Sequence, residues 1–156
     1  MPNNEWNIFI FDTDLKKAEE LANEVNGIVL KTRNERLTNK SIHFVVVSVI
    51  NKFAKKICIE ALKSGKNVLC EKPMGRNAKE AKEIALIAKK YKRVFKCGFN
   101  HRYHPAMLEA HKLCKEGKIG KLLYIRGAYG HGGRNGYEKE WRAFKDLSGG
   151  GELLDQ

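Results

Sequence analysis

Between Trp6 and Phe99, short apolar runs alternate with longer stretches whose apolar residues recur at helical spacing, and this alternation constrains the fold more than any other feature. Residues 6–11 (Trp-Asn-Ile-Phe-Ile-Phe) read as a strand that stops at Asp12-Thr13-Asp14. Leu15, Ala18, Leu21, Ala22 and Val25 then mark a helix ending at Asn26-Gly27. A short strand follows at 28–30. Residues 42–50 hold Phe44-Val45-Val46-Val47, the nearly unbroken apolar texture of a parallel strand covered on both faces. Ala54, Ile57, Cys58, Ala61 and Leu62 predict a helix closed by Ser64-Gly65. The strand Val68-Leu69-Cys70 runs into Glu71-Lys72-Pro73. Asn77-x-x-Glu80 then forms a capping-box-like start for a helix burying Ala81, Ile84, Ala85 and Ala88, and residues 94–99 form another strand. Strands alternating with helices of roughly ten to fifteen residues imply right-handed crossovers and a doubly wound sheet. Such sheets bind ligands beyond the carboxyl ends of their strands, so the polar residues after each strand are the candidate site.

After Phe99 the texture changes. A Pro105-led helix runs through Leu113 to a stop at Gly117, a longer strand is expected from Leu122 to Tyr129, and a glycine-rich stretch covers 130–136. A second domain begins here, and the chain closes on Ser148-Gly149-Gly150-Gly151-Glu152-Leu153-Leu154-Asp155-Gln156, a loop feeding a helix. The 156 residues suffice for one domain with its own core and a part of a second.

The net charge of +12 raises the question of an anionic partner. Basic residues are spread over nearly every segment, however, and the densest group, Lys89, Lys90, Lys92 and Arg93, sits where a helix ends and cations favour the dipole. No stripe of Lys and Arg interleaved with aromatics is present, which argues against nucleic acid. No apolar run approaches the roughly 20 residues that cross a bilayer, and the start lacks a signal-peptide pattern, so no membrane partner and a cytoplasmic location are expected. The four cysteines form no Cys-x-x-Cys pair and read as core residues. Cys97, His101 and His104 lack a fourth ligand, so no metal is expected.

Asp12 closes the first strand where a dinucleotide-binding fold places the acidic residue that binds an adenosine ribose; a plain helix N-cap is the other reading. As a ribose ligand, its charge would repel a 2′-phosphate and favour NAD over NADP. His131, Arg134 and the glycines around them suit a pocket for polyhydroxylated or anionic groups, or serve only as turns.

Gly65-Lys66-Asn67-Val68-Leu69-Cys70-Glu71-Lys72-Pro73 resembles the signature of the Gfo/Idh/MocA oxidoreductases. Residues 98–105 (Gly-Phe-Asn-His-Arg-Tyr-His-Pro), Gly117-Lys118-Ile119-Gly120 and the Ser148–Asp155 segment resemble that family's later motifs, in its order. The resemblance implies an α/β chain: a partial dinucleotide-binding (Rossmann) domain over residues 1–99, then the beginning of a C-terminal substrate and oligomerisation domain over 100–156. It casts Lys72 as a catalytic residue beside the nicotinamide, where it can hydrogen-bond or exchange a proton with a substrate hydroxyl. Asp155 matches the aspartate four residues before a catalytic histidine whose place lies beyond Gln156. Glu71, Lys72 and Pro73, often preceded by a cis peptide in the family, face the cofactor. So do Trp141 and Arg142, for which a surface cation-π pair is the alternative. Asn51 is a further cofactor-side candidate by the same resemblance: it matches the asparagine of the family's Thr-Pro-Asn-x-x-His turn, although Ile50 and Ala54 replace the proline and histidine. Arg102 and Tyr103 join His131 and Arg134 as substrate-side candidates.

The dinucleotide fold also needs a first strand and a Gly-x-Gly-x-x-Gly turn before the Asp-tipped strand, and the chain contains no such turn. The resemblance therefore implies an incomplete, doubly wound Rossmann-type sheet cut at both ends, with the edges beside the missing central strand left unpaired. The expected activity of the parent is hydride transfer between a sugar or cyclitol carbinol and NAD, in a homo-oligomer. The isolated chain is expected to be inactive. Two other readings stay open: a non-catalytic interaction module that keeps the fold, and a basic nucleic-acid-binding protein.

Overall fold

Parallel pairing governs every strand in the computed structural model, which describes residues 6–128, 130, 134–150 and 154. In chain order the elements are β1 (Phe9–Ile10), α1 (Leu15–Val25), β2 (Ile28–Val29), α2 (Arg33–Thr38), β3 (Phe44–Val47), α3 (Asn51–Lys63), β4 (Asn67–Cys70), α4 (Ala78–Lys90), β5 (Phe95–Cys97), α5 (Pro105–Lys115) and α6 (Lys145–Ser148). Short 3-10 turns lie at Asn100–Tyr103, Tyr137–Lys139 and Trp141–Ala143. β1 and β2 form one pair; β3, β4 and β5 form a second sheet with β4 in the middle. Each of β1 and β3 pairs on one side alone among the described residues.

The core lies under the second sheet. Val47, Val68 and Cys70 pack against Ala54, Cys58, Ala61 and Leu62 of α3 and Ile84 and Ala88 of α4. The spacing of α3 thus predicts its buried face well. The other face of β3 is bare, with Phe44 and Val46 46% and 60% exposed, because α3 and α4 cover the same side of the sheet. The expectation of a strand covered on both faces is therefore corrected. On α1 only Ala18 and Ala22 are buried, while Leu15, Leu21 and Val25 face solvent. Ala85, expected in the core, is exposed and borders a crevice beside β5.

Two polar ties hold the halves in place. Arg33 and Arg36 of α2 share the carboxylate of Glu60 on α3, with Arg36 also lying 5.0 Å above the Phe11 ring. Burial lowers the Arg36 pKa. Just before β4, Lys66 is buried and its Nζ donates to the carbonyls of Asn39 and Ile42 at 2.8 and 2.9 Å. This binds the segment leading into β3 to the start of β4, and desolvation lowers the lysine pKa. The Lys66 of the Gly-Lys-x-Val run thus has a structural task at the amino edge.

Residues 122–128, expected as a strand, take no regular structure. Leu122, Leu123, Tyr124 and Ile125 are 54–81% exposed, and no partner strand pairs with them among the described residues. Apolar texture alone does not make a strand without a ladder to join. No helix of the described residues is long and apolar enough to cross a membrane.

Candidate active site

The carboxyl ends of β3, β4 and β5 lie side by side, and the Glu71-Lys72-Pro73 turn leaves from the middle one. Glu71 N–H donates to Val47 O at 2.9 Å, and Gly98 N–H donates to Cys70 O at 2.8 Å, so parallel pairing continues one residue past β4 and β5. The Glu71 carboxylate folds back over Gly98. A Cβ there would lie 3.3 Å from both carboxylate oxygens, tight enough that glycine suits the position. Oε2 also accepts the Lys72 N–H at 3.1 Å. Glu71 therefore shapes the turn from within. The Lys72–Pro73 peptide is cis, Pro73 is buried, and Lys72 is half-buried.

Cys70 and Cys97 end β4 and β5, and Cys58 of α3 packs beside them. The Cys58 and Cys70 thiols lie beside each other, and their interaction raises the pKa of Cys58 and lowers that of Cys70. Burial pushes Cys97 up to about 11. Its Sγ points to Glu71 O at 3.9 Å, and His104 Nδ1 accepts the Ala106 N–H at the start of α5.

Asp12 lies at the end of β1 and is exposed. Its Oδ1 accepts from Asp14 N–H at 2.8 Å and from Thr13 Oγ1 at 3.4 Å. The N-cap of α1 is Asp14, not Asp12, with Asp14 Oδ1 accepting from Lys17 N–H. The bland reading of Asp12 as the helix cap is thus removed.

Asn51 opens α3 with its side chain turned inward. The residue is 5% exposed, and Nδ2 donates to Ser148 O at 2.9 Å. Arg142 stacks on Trp141 at 4.6 Å and donates to Glu140 at 3.3 Å. Arg134 forks onto the same carboxylate through Nε and Nη2, both at 2.6 Å, and lies over Tyr137. These arginines hold the Glu140 carboxyl below its ordinary value. Arg102 and Tyr103 line a crevice of about 490 Å³ with Met74, Phe95, Cys97 and Phe99; neither Lys72 nor Asp12 borders it. Asp155 and His131 lie outside the described residues.

The geometry therefore gathers Glu71, Lys72, Pro73 and Asn51 at one sheet edge, leaves Asp12 on the neighbouring strand pair, and puts Arg102 and Tyr103 to the side. Arg76 and Ser148 belong to the same edge and were not foreseen. Arg76 N–H and guanidinium both bind Glu80, and Nη1 reaches Asp146 O at 2.8 Å. The local Asn77-x-x-Glu80 code hints at the first of these contacts, and nothing local signals the second.

Comparison with known proteins gives three concordant findings. Residues 3–99 match the family described as "Oxidoreductase family, NAD-binding Rossmann fold". Levoglucosan dehydrogenase of Pseudarthrobacter phenanthrenivorans is 33% identical over 121 residues, which are 76% of this chain and 31% of that protein. Among solved structures, levoglucosan dehydrogenase in complex with NADH and levoglucosan superposes with a TM-score of 0.80 at 26% identity, over 96% of this chain and 41% of that one. Myo-inositol 2-dehydrogenase from Lactobacillus plantarum superposes with a TM-score of 0.67 at 27% identity, over 75% and 35%. The chain thus spans well under half the length of the relatives it matches.

Proposed function

The chain belongs to the Gfo/Idh/MocA oxidoreductase family, and from that premise we propose that its chemistry is hydride transfer between a carbinol carbon of a sugar or cyclitol and the nicotinamide of NAD. The observation that carries the reading is the Glu71-Lys72-Pro73 turn at the carboxyl end of β4, the middle strand of a parallel sheet. Relatives named for levoglucosan and inositol dehydrogenases support the substrate class.

The described residues fit the two ends of a dinucleotide. Asp12 is exposed, and with Thr13 and Asp14 donating to its Oδ1, Oδ2 offers an acceptor for ribose hydroxyls. Its charge disfavours a 2′-phosphate, hence NAD over NADP. Lys72 brings a cation to the strand end where a hydroxyl oxygen gains charge as its proton leaves. The cofactor, when bound, supplies the hydride acceptor. Lys72 hydrogen-bonds the substrate oxygen and exchanges its proton, and Asp155 takes part in the same proton path. Trp141 and Arg142 wall the cofactor side, and His131 and Arg134 serve substrate; Arg102 and Tyr103, in a crevice that Lys72 does not border, reach only a part of the substrate remote from the reacting carbon. Between the two ends the sequence offers no Gly-x-Gly-x-x-Gly turn to cradle a pyrophosphate.

A weak affinity follows from that partial fit. Titration of the chain with NADH, read by nicotinamide fluorescence, is expected to give a Kd of about 0.1 to 1 mM, weaker still for NADPH and weakened several-fold by Asp12→Asn. Equal affinity for both cofactors with no effect of Asp12→Asn would contradict the NAD reading, and tight micromolar binding would contradict the partial fit.

A further inference from the structure

The turn at residues 144–149 is held against the sheet edge by side chains from two other elements. α6 has only four residues, far too few to nucleate a helix unaided. Its carboxyl end passes through Gly149 at a φ of 103°, and a Cβ at Gly149 would lie 2.7 Å from both Cβ and O of Arg76. The two stretches of backbone therefore meet so closely that glycine alone fits.

From α3, Asn51 Nδ2 donates to Ser148 O at 2.9 Å, and Lys52 Nζ lies 3.4 Å from Asp146 Oδ2. From the loop before α4, Arg76 Nη1 donates to Asp146 O at 2.8 Å. Arg76 is itself pinned: Nη2 donates to Glu80 Oε1 at 2.6 Å, and its backbone N–H and Nε reach Oε2 at 2.9 and 3.4 Å. Glu80 is buried and its N–H is capped by Asn77. The anchor is thus a rigid helix start, and Arg76 lies four residues after Lys72.

We propose that Asn51 and Arg76 are positioning residues that latch the 145–149 turn to the starts of α3 and α4. Their side chains fix the 145–149 turn relative to the Lys72 turn. Only the bearing of that placement on the Lys72 proton path rests on the hydride-transfer reading; the latch stands on its own contacts. Asn51 acts on Ser148 and through it on the site, in place of the direct cofactor contact that its sequence position suggests.

Hydrogen exchange on the full chain tests the latch, with Asn51→Asp, Arg76→Lys and a parallel NADH titration. Asn51→Asp keeps the side-chain shape, removes the donor and puts an acid at the start of α3, where the helix dipole favours it. Exchange at the Ser148 and Gly149 amides, which donate to Phe144 O and Lys145 O, is expected to quicken about fivefold. Ile57 and Cys58 within α3 are expected to stay as protected as before. Arg76→Lys, which keeps a cation for Glu80 and one donor for Asp146, is expected to fall between. Unchanged exchange at 148 and 149, or equal loosening of α3, overturns the latch. Weaker NADH binding with unchanged exchange makes Asn51 a cofactor contact, which defeats the latch and leaves the hydride-transfer reading intact. Faster exchange in a chain without NADH affinity supports the latch and counts against that reading.

Discussion

Glu80 is a buried carboxylate whose pKa is lowered chiefly by its hydrogen bond to Arg76, against an opposing push from burial. Its stabilising effect is therefore fully present above the unfolded value near 4.5 and is lost as pH falls through the depressed folded value. Glu80→Gln is expected to lower stability at neutral pH by about 1 to 3 kcal/mol, with the gap to the native chain closing below pH 4.5. Urea unfolding at neutral and acid pH measures both limbs, and a gap that stays constant refutes the linkage. Asn77, whose Oδ1 accepts the Glu80 N–H at 2.9 Å, tests the cap alone: Asn77→Ala should cost about 1 kcal/mol in the same assay. Such contacts are legible in sequence because a cap spans three or four residues. One departure from the capping box is that Glu80 reaches back to the Arg76 N–H instead of that of Asn77. Contacts such as Arg76 to Asp146, 70 positions apart, leave no local trace. Lys66 was equally silent, since a lysine beside a glycine reads as surface until the two carbonyls that solvate it come into view.

Elements followed the apolar spacing closely where a stripe was long. α3 and α4 occupy the expected stretches, and the αL cap at Asn26 ends α1 beside the predicted Asn26-Gly27 stop. α2 is hard to read because Arg33–Thr38 carries almost no apolar stripe; its local signal is the Thr32 cap, which accepts from Glu35 N–H at 3.2 Å. Spacing also overstated burial, since a helix shows its stripe whether or not a partner covers it. Leu62, inside the predicted stripe of α3, and Leu86, outside that of α4, show what cover contributes. Leu62 is fully buried and Leu86 is 57% exposed. Leu62→Ala should cost about 2 to 5 kcal/mol and Leu86→Ala under about 0.5 kcal/mol, both read from denaturant midpoints at constant slope. Similar losses at the two sites would mean that the bare face of α4 is covered in solution.

At the scale of the whole molecule, the split between the β1–β2 pair and the β3–β4–β5 sheet decides behaviour. β1 and β3 each present an unpaired edge among the described residues, and Phe44 and Val46 add apolar side chains to the second. Parallel edges of this kind template pairing with other chains, and natural edge strands resist it with lysine. Despite its +12 charge the chain has no lysine within β3. The expected outcome is concentration-dependent self-association, stronger at high salt, where screening removes the repulsion between like-charged copies. Val46→Lys should shift sedimentation toward the monomer. Because Val46 is already 60% exposed, the unfolding free energy at low protein concentration should change by less than about 0.5 kcal/mol. A chain that sediments as a monomer at every concentration and salt level would show that the edge of β3 is closed in solution.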